Sequence, residues 1–513
     1  MSPRLAPIAV LLLACHTGAD AGEDSAILRC DSGSADWSTW YADADGDTFG
    51  DPSSAREGCA AGLGETLVGG DCDDHDAQVN PEEEEVCASG IDEDCDGVDA
   101  GCGPERTVVL GGQSVRLYGS AGRGLGAHLA AGDLDGDGSA DVVATTGEDD
   151  FAACGGTVAF GALSGAENVD DVGVRLTPED VPCTSAARVA IGDMDGDGTP
   201  DVALGRMNVA DKYQYGSVWV GFGPFARSGE NSGEAVYEGA AGDGFGQTVD
   251  VADVTGDGVA ELLTAAGRAC DQGVLVTQSA LAEEYPFWIR TSFMDCFYDM
   301  SIAGGGDVDG DGLGDVVGAF GTEVYLMAGG SVGELTTADL AGHYLVEEGG
   351  QSHGAALALA DLDDDGLADV VVRPAGSGGS GTFGDTYVVF GPASGATDLG
   401  GAEVIVRGSE RGDFRPVSVG AEDADGDGVA DLLLGAEHDG APASLYLGPF
   451  AAGTYANGAD LAVVAPSGET DTWLSSTAMA DLDGDGLRDF LLGSPRGDEG
   501  GSDGGVMYVV PVW

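Results

Sequence analysis

The stretch "DLDGDGLRD", residues 481–489, places aspartates at positions 1, 3, 5 and 9 of a short loop, with glycines at positions 4 and 6. Six related stretches begin at Asp133, Asp193, Asp253, Asp307, Asp361 and Asp423. Successive starts are separated by 60, 60, 54, 54, 62 and 58 residues. This regular spacing predicts a repeat architecture over residues 104–513.

Short apolar segments flank each acidic loop. "ARVAIGD" (187–193) leads into one loop and "DVALG" (201–205) leaves it, and a third and fourth segment follow, as in "GSVWVGFGP" (216–224) and "EAVYEG" (234–239). Each loop therefore predicts the turn of an antiparallel hairpin. Four strands in each of seven repeats predict an all-β fold, a seven-bladed β-propeller.

The order of the predicted strands indicates how this ring closes. The sequence reaches Trp513 on a third strand, whereas "QSVRLYG" (113–119) precedes the first acidic loop like a fourth strand without its own blade. We expect residues 113–119 to complete the last blade.

The net charge of the chain limits the kinds of ligand that it can bind. Asp and Glu number 91 against 19 Lys and Arg, which gives a formal net charge of -72 and leaves Lys212 as the only lysine. Nucleic-acid binding needs basic patches, so this composition argues against it. Carboxylates within a few Å repel one another unless a cation lies among them or their pKa values rise. The loops therefore predict cation sites rather than plain Asp/Gly turns.

Calcium suits these loops because it takes six to eight oxygen ligands, which alternate side chains and one backbone carbonyl of a tight loop can supply. An EF-hand is excluded because it needs twelve residues and flanking helices. Thr255 and Glu261 replace aspartate in the loop at 253, so we expect it to be the weakest site. The predicted ligands, with position 7 contributing its carbonyl, are Asp133, Asp135, Asp137, Ser139, Asp141, Asp193, Asp195, Asp197, Thr199, Asp201, Asp253, Thr255, Asp257, Val259, Glu261, Asp307, Asp309, Asp311, Leu313, Asp315, Asp361, Asp363, Asp365, Leu367, Asp369, Asp423, Asp425, Asp427, Val429, Asp431, Asp481, Asp483, Asp485, Leu487 and Asp489.

These loops, together with "GFGQ" (244–247) and "FGP" (222–224 and 390–392), resemble the FG-GAP repeats of the integrin α-subunit propeller and its bacterial relatives. The resemblance implies a seven-bladed propeller with structural calcium in the blade hairpins. The FG pair is degenerate, since Leu125 and His353 stand where Phe stands at 245. The resemblance implies no particular ligand, because family members bind different partners through their other loops.

A second acidic region, which we expect to be a separate module over residues 39–103, begins with "YADADGDTFGD" (41–51). Residues 40–102 resemble the Cys/Asp-rich metal-binding module of bacterial surface proteins that is named after MopE, a methanotroph copper-binding protein. Cu(II) favours nitrogen ligands and this stretch offers only His75, so we expect a calcium-stiffened spacer instead. Asp43, Asp45, Asp47 and Asp51 hold positions 1, 3, 5 and 9 of a predicted calcium loop, and a weaker candidate group is Asp92, Asp94, Asp96 and Asp99.

The start of the sequence indicates export. "MSPRLAPIAVLLLAC" (1–15) has a positive charge at Arg4 followed by an apolar run, which is typical of a secretory signal. Its "LLAC" ending resembles the bacterial lipobox, which implies a signal peptide over residues 1–14, lipidation of Cys15 and a linker over 15–38. The alternative is an ordinary signal peptide cleaved near "TGADAG" (17–22), which gives a secreted protein.

Ten cysteines remain when Cys15 is set aside, an even number that suits disulfides in an oxidising compartment. Sequence neighbours suggest the pairs Cys154–Cys183 and Cys270–Cys296. The other six allow fifteen connectivities and stay open, and they are Cys30, Cys59, Cys72, Cys87, Cys95 and Cys102.

The sequence contains no Ser/His/Asp set at a recognisable spacing, and its two G-x-S-x-G matches (329–333 and 500–504) lack the following helix of a nucleophile elbow. We therefore expect a non-enzymatic, monomeric protein of the bacterial cell envelope that binds an extracellular protein or glycan and meets the membrane only through its lipid. The alternative is a lyase or hydrolase that acts on an extracellular polysaccharide.

Overall fold

The structure is a computed structural model, and its described residues form two compact units, Met1–Cys102 and Gly103–Trp513. The described ranges are 38–58, 61–62, 64–75, 77, 79–81, 95, 106–110, 115–146, 155–161, 163–176, 188–208, 215–227, 234–238, 245–268, 271–277, 287–289, 300–320, 323–331, 333–335, 341–345, 355–374, 385–393, 395–407, 418–436, 441–455, 459–464, 474–498 and 503–511.

Several predictions fall outside these ranges. They concern the signal peptide, Cys15, the group Asp92, Asp94, Asp96 and Asp99, and the pairs Cys154–Cys183 and Cys270–Cys296. They stay predictions.

The first unit contains a three-stranded antiparallel sheet. Its central strand, Ser38–Ala42, pairs with Arg56–Gly58 on one side and with Glu65–Thr66 on the other. A 3-10 helix, Pro52–Ser54, follows the acidic loop.

In the described part of the second unit, seven small sheets follow one another along the chain, and we number them 1 to 7. In each, the first two strands form a hairpin around one acidic loop, as predicted. Sheet 1 contains Leu125–Gly132, Asp141–Thr146, Gly156–Ala159 and Val174–Leu176; sheet 2 contains Arg188–Gly192, Asp201–Asn208, Tyr215–Gly221 and Glu234–Glu238; sheet 3 contains Val249–Ala252, Glu261–Arg268, Asp271–Thr277, Phe287–Ile289 and Gly333–Leu335; sheet 4 contains Met300–Gly304, Val316–Phe320, Glu323–Met327, Gly342–Leu345 and Gly395–Asp398. Sheet 5 contains Ala355–Ala360, Asp369–Pro374, Thr386–Val389, Val404–Val406 and Gly453–Tyr455; sheet 6 contains Val419–Glu422, Asp431–Leu434, Ala443–Tyr446, Leu461–Val464 and Arg106–Val109; sheet 7 contains Ser476–Ala480, Asp489–Ser494, Val506–Val510, Val115–Tyr118 and Ala166–Asn168.

Helices are short in the described residues of this unit. One α-helix, Val169–Val172, and one 3-10 helix, Leu399–Gly401, connect strands. No helix within the described ranges is long and apolar enough to cross a membrane.

The hydrophobic cores lie between neighbouring sheets. Leu432 packs with residues of sheet 5, whereas Leu433, the next residue on the same strand, packs with residues of sheet 7. Both faces of a second strand are therefore covered, which explains why these strands are continuous apolar runs rather than alternating ones. Leu491 of sheet 7 shares a core with Val142 of sheet 1.

The sheets close into a ring. The first strand of each sheet contacts the first strand of the next, and the first strand of sheet 7 contacts that of sheet 1. The described residues of the second unit therefore form a closed, propeller-like arrangement of small β-sheets.

Two early strands complete the last sheets. Val115–Tyr118, within the predicted closing segment 113–119, pairs antiparallel with Val506–Val510 in sheet 7. Arg106–Val109 pairs parallel with Leu461–Val464 in sheet 6. Sequence analysis missed this second pairing and the other fifth strands of sheets 3 to 7. These added strands are three or four residues long, too short to leave a periodic signal.

Candidate metal centres

We number the acidic loops 1 to 7 after the sheets that carry them. Their sharp turn depends on positive φ angles at positions 4 and 6, as at Gly484 (78°) and Gly486 (93°) in loop 7. Glycine adopts this conformation without a steric penalty. Loop 5 instead has Asp364 at position 4, with φ of 62°, a residue type that tolerates the left-handed region.

The first aspartates organise the loop backbone. In loop 7, Asp481 Oδ1 accepts hydrogen bonds from the N–H of Gly484 at 2.6 Å and of Asp485 at 3.1 Å, and its Oδ2 accepts from Gly486 at 3.0 Å. Asp483 and Asp485 each use Oδ1 to accept from an N–H two residues further on, at 3.2 and 2.8 Å. Their Oδ2 atoms take no part in these bonds and are free to bind a cation.

The structure brings the predicted carboxylates together. Ligand oxygens lie within 4.8 Å of one another in several groups, which include Asp133–Asp135–Asp141, Asp193–Asp195–Asp197 and Asp307–Asp309–Asp311. All the donors are oxygens, so the loops fit a hard divalent cation.

The position-9 carboxylate has a second role that the sequence did not reveal. Asp369 Oδ2 accepts from the N–H of Leu362 at 2.8 Å, and its Oδ1 accepts from the N–H of Gly391, after the third strand, at 2.9 Å. The first bond recurs in all seven loops. The second recurs at Asp141, Asp201, Asp315 and Asp431. In these five loops the buried carboxylate, which begins the second strand, therefore joins the start of the loop to the end of the third strand.

Burial opposes the charge on these carboxylates. It raises the pKa of Asp369 to about 7 and the pKa values of Asp141, Asp201, Asp431 and Asp489 to about 6, against the opposing effect of the backbone N–H donors. A cation in the loop would favour the ionised form.

Loop 3 is built differently. Glu261 Oε2 accepts from the N–H of Val254 at 2.9 Å, but its Oε1 accepts from the Thr255 hydroxyl at 3.2 Å. Thr255 therefore supplies a hydroxyl that is already donating, in place of a carboxylate. This geometry is consistent with the expectation that loop 3 is the weakest site, which stays a prediction.

Neighbouring loops are also joined. The position-8 N–H of Ala260 donates to the position-1 carbonyl of Asp193 in the preceding loop at 2.8 Å, and Ala368 donates to Asp307 in the same way at 2.8 Å. Ala430 and Ala140 repeat this bond, to Asp361 at 3.1 Å and to Asp481 at 3.3 Å. Loop 2 has Pro200 at position 8, which has no N–H to donate.

Loop 1 has a cationic neighbour. Arg227 follows the third strand of sheet 2, and its guanidinium donates to Oδ2 of Asp135 and Oδ2 of Asp137. It also lies over the Phe160 ring, with its central carbon 5.6 Å from the ring centroid. Within the described ranges, no other arginine forms an ion pair with a position-3 or position-5 carboxylate of the seven loops. Sequence analysis missed Arg227 because it lies 90 residues or more from its partners.

In the first unit, the nine-residue spacing does not reproduce the position-9 arrangement. Asp51 Oδ1 accepts from the N–H of Ser53 at 2.7 Å, and its Oδ2 accepts from the Ser53 hydroxyl at 2.6 Å. Asp51 therefore caps the 3-10 helix, because Pro52 begins a turn here where the other loops begin a strand. Asp43, Asp45 and Asp47 do come together. A disulfide joins Cys72 to Cys95, which identifies one pair among the six early cysteines.

Two family models match the chain. Residues 473–510, which contain loop 7, match the FG-GAP repeat. The chain carries an FG-GAP repeat. Residues 71–100 match Cu-binding_MopE, described as "Putative metal-binding motif". These matches confirm both resemblances seen in the sequence, and no curated protein matches the chain.

Several solved structures match the chain, and one of them is described as a propeller. "BBS1N in complex with ARL6DN, soaked with lead" is 12% identical, with a TM-score of 0.40 over 78% of this chain and 98% of that one. "Exotype rhamnogalacturonan lyase YesX" is 13% identical, with a TM-score of 0.40 over 77% and 72%. The "Dos1 propeller" is 10% identical, with a TM-score of 0.37 over 72% and 74%. Likeness at this level carries no argument about function.

The position-9 carboxylate should stabilise the fold even without metal. Asp369→Ala leaves the buried N–H of Leu362 and the half-buried N–H of Gly391 without their acceptor, at about 1–3 kcal/mol each, so we expect the free energy of unfolding in chelator to fall by about 2–6 kcal/mol. Asp365→Asn is the matched control, because Asp365 is exposed and asparagine keeps an oxygen that can accept from Leu367. Urea unfolding measures both variants, and equal midpoints would contradict the structural role.

Arg227 should compete with metal at loop 1. Arg227→Ala frees two ligand oxygens, so we expect the calcium affinity of loop 1 to rise several-fold. Calcium titration measures this affinity. The same titration with Asp137→Asn added, which removes a ligand of loop 1, identifies the part of the signal that comes from that loop. Phe225 donates a backbone hydrogen bond to Leu134 in loop 1, and Phe450 donates the equivalent bond to Leu362 in loop 5, both at 2.7 Å. Ala452 lies two residues after Phe450, as Arg227 lies two residues after Phe225, so it is the counterpart of Arg227. Ala452→Arg should weaken loop 5. Weaker binding in Arg227→Ala would instead mean that the guanidinium holds the ligands in place.

Proposed function

We propose that the second unit is a seven-bladed β-propeller in which calcium, bound by the hairpin loops, holds neighbouring blades in place. On this proposal the protein is a non-enzymatic scaffold that presents its other loops to an extracellular protein or glycan. The observation that carries the proposal is the recurrence, in all seven loops, of the buried position-9 acid that accepts the position-2 N–H.

Calcium is the cation that this donor set favours. Each loop offers carboxylate oxygens and a backbone carbonyl, and none contains a cysteine or histidine. Magnesium demands near-ideal octahedral geometry and usually keeps several waters, whereas calcium accepts flexible sets of six to eight oxygens. Extracellular modules bind calcium with dissociation constants of about 10⁻⁴ to 10⁻³ M, which suits constant occupancy outside the cell.

A structural role follows from where the loops lie. Each loop is fastened to its own sheet by the position-9 acid, and several are bonded to the preceding loop. An ion that neutralises the carboxylates of one loop therefore stabilises the contact between two adjacent sheets. Since these loops hold neighbouring sheets together, we assign partner binding to the other surfaces of the second unit. We expect the protein to act as a monomer.

The proposed location rests on residues 1–15. A charged start, a short apolar run and "LLAC" support export and lipidation of Cys15 at the bacterial cell envelope. Export also suits a chain with a cysteine pair joined as Cys72–Cys95.

Metal counting tests the calcium proposal. We expect about one ion for each of the seven loops, and one fewer in Asp195→Asn, which removes a loop 2 ligand. Because an ion bound only by the folded state adds stability, chelation should lower the melting temperature by about 10 °C or more. Fewer than three ions with an unchanged melt would show that the loops are turns.

Fractionation tests the anchor. The protein should partition with membranes and incorporate a labelled fatty acid, and Cys15→Ser should release it into the soluble fraction without the label. Thr17→Ser is the control and should stay with the membrane. A Cys15→Ser variant that keeps both the label and the membrane location would rule out this anchor.

A further inference from the structure

Two separate segments of the first unit bring carboxylates to one place. Asp43, Asp45 and Asp47 form one group, and Asp45, Asp71 and Asp74 form another, with the ligand oxygens of each group within 4.8 Å of one another. Asp45 belongs to both groups. We therefore treat these five residues as one set, the composite cluster. Nothing in the spacing along residues 43–51 indicates that Asp71 and Asp74 belong to it.

Each of three members of the composite cluster has one satisfied oxygen. Asp45 Oδ1 accepts from the N–H of Asp47 at 3.3 Å. Asp47 Oδ1 accepts from Phe49 at 2.8 Å, and Asp71 Oδ1 accepts from Asp73 at 2.9 Å. These local bonds fix the orientation of each carboxylate, and the second oxygen is left for another partner.

The second oxygens are buried and lack a partner. Within the described residues, the Oδ2 atoms of Asp45, Asp47 and Asp71 are inaccessible to solvent and accept no hydrogen bond. Asp71 is only 2% exposed. Burying a carboxylate without a compensating partner is strongly unfavourable, so paired or metal-bound carboxylates are the rule. Asp45 shares one group with Asp47 and the other with Asp71, so these unpartnered carboxylates lie around a common residue, and together they indicate a cation.

The two segments are held together without the ion. Asp74 Oδ1 accepts from the N–H of Ala44 at 2.8 Å, and the Gly50 carbonyl accepts from Gly70 at 3.2 Å and Asp71 at 3.3 Å. The Cys72–Cys95 disulfide restrains the chain beside Asp71. The ligands are therefore in position before an ion arrives.

The neighbouring polar groups do not supply the missing positive charge. Arg56 pairs with Glu65. The His75 side chain is 88% exposed, with its Nδ1 3.9 Å from Asp73. Asp51 has both oxygens engaged by Ser53.

We propose that Asp43, Asp45, Asp47, Asp71 and Asp74 form a single divalent-cation site that joins the loop at 43–47 to the start of the matched metal-binding motif. An all-oxygen set selects a hard ion of the calcium class, whereas Cu(II) would favour nitrogen ligands. The ion would stand in for a larger core, since the buried apolar residues in the described part of this unit are Phe49 and Val79. This site does not depend on the seven loops of the second unit.

Ion counting on the full exported chain tests the site, by native mass spectrometry at saturating calcium. Asp71→Asn and Asp45→Asn should each bind one ion fewer than the wild type, and the matched control Asp51→Asn should bind the same number. Asp195→Asn reports on the second unit separately, so failure here is distinguishable from failure of the loops. A non-reducing peptide map that contains the linked Cys72–Cys95 peptide checks that each variant forms its native disulfide.

Proteolysis gives a second readout in the same chain. Chelation should speed tryptic cleavage after Arg56 several-fold in the wild type, and calcium should no longer slow that cleavage in Asp71→Asn. Equal ion counts in the wild type and Asp71→Asn would overturn the site. So would an ion lost from Asp51→Asn alone, or Cu(II) bound in place of calcium with nitrogen hyperfine coupling from His75.

Discussion

The second unit depends on a buried carboxylate that accepts two backbone hydrogen bonds. At Asp369 these come from Leu362 and Gly391, so one side chain holds the beginning of the loop, the second strand and the end of the third. Burial disfavours its charge, which is why its pKa rises to about 7. The three aspartates at positions 1, 3 and 5 lie next to it. The arrangement is thus fully favourable only when a cation balances that charge.

The same acidic loop explains how the sheets stay together. Ala368 donates from loop 5 to Asp307 in loop 4, while the apolar cores lie between adjacent sheets. A loop is therefore both the turn of its own hairpin and a contact of its neighbour. Pro200 interrupts this series at loop 2, and Arg227 places a side-chain cation at loop 1. The repeats are thus alike in backbone and unlike in their electrostatic surroundings.

Local patterns in the sequence were sufficient to predict the repeating hairpins of the fold. The hairpins could be predicted because apolar runs flank each acidic loop, and the segment containing Val115–Tyr118 could be assigned because one strand was left over. The first-unit ligands could not be read in this way. Asp51 shares the spacing of a ligand but caps a helix, while Asp71 reaches the cluster only through the fold. Spacing predicts contacts within a loop, and contacts between distant segments need the structure.

The pairing of early strands with the last sheets has a consequence for biosynthesis. Arg106–Val109 and Val115–Tyr118 leave the ribosome, and enter any export channel, long before residues 461–464 and 506–510 with which they pair. Until then the strand edges that later receive these partners are unpaired, and unpaired edges invite aggregation. A chain interrupted before sheet 7 would keep such an edge open, so the ring can close only after translation has passed residue 510.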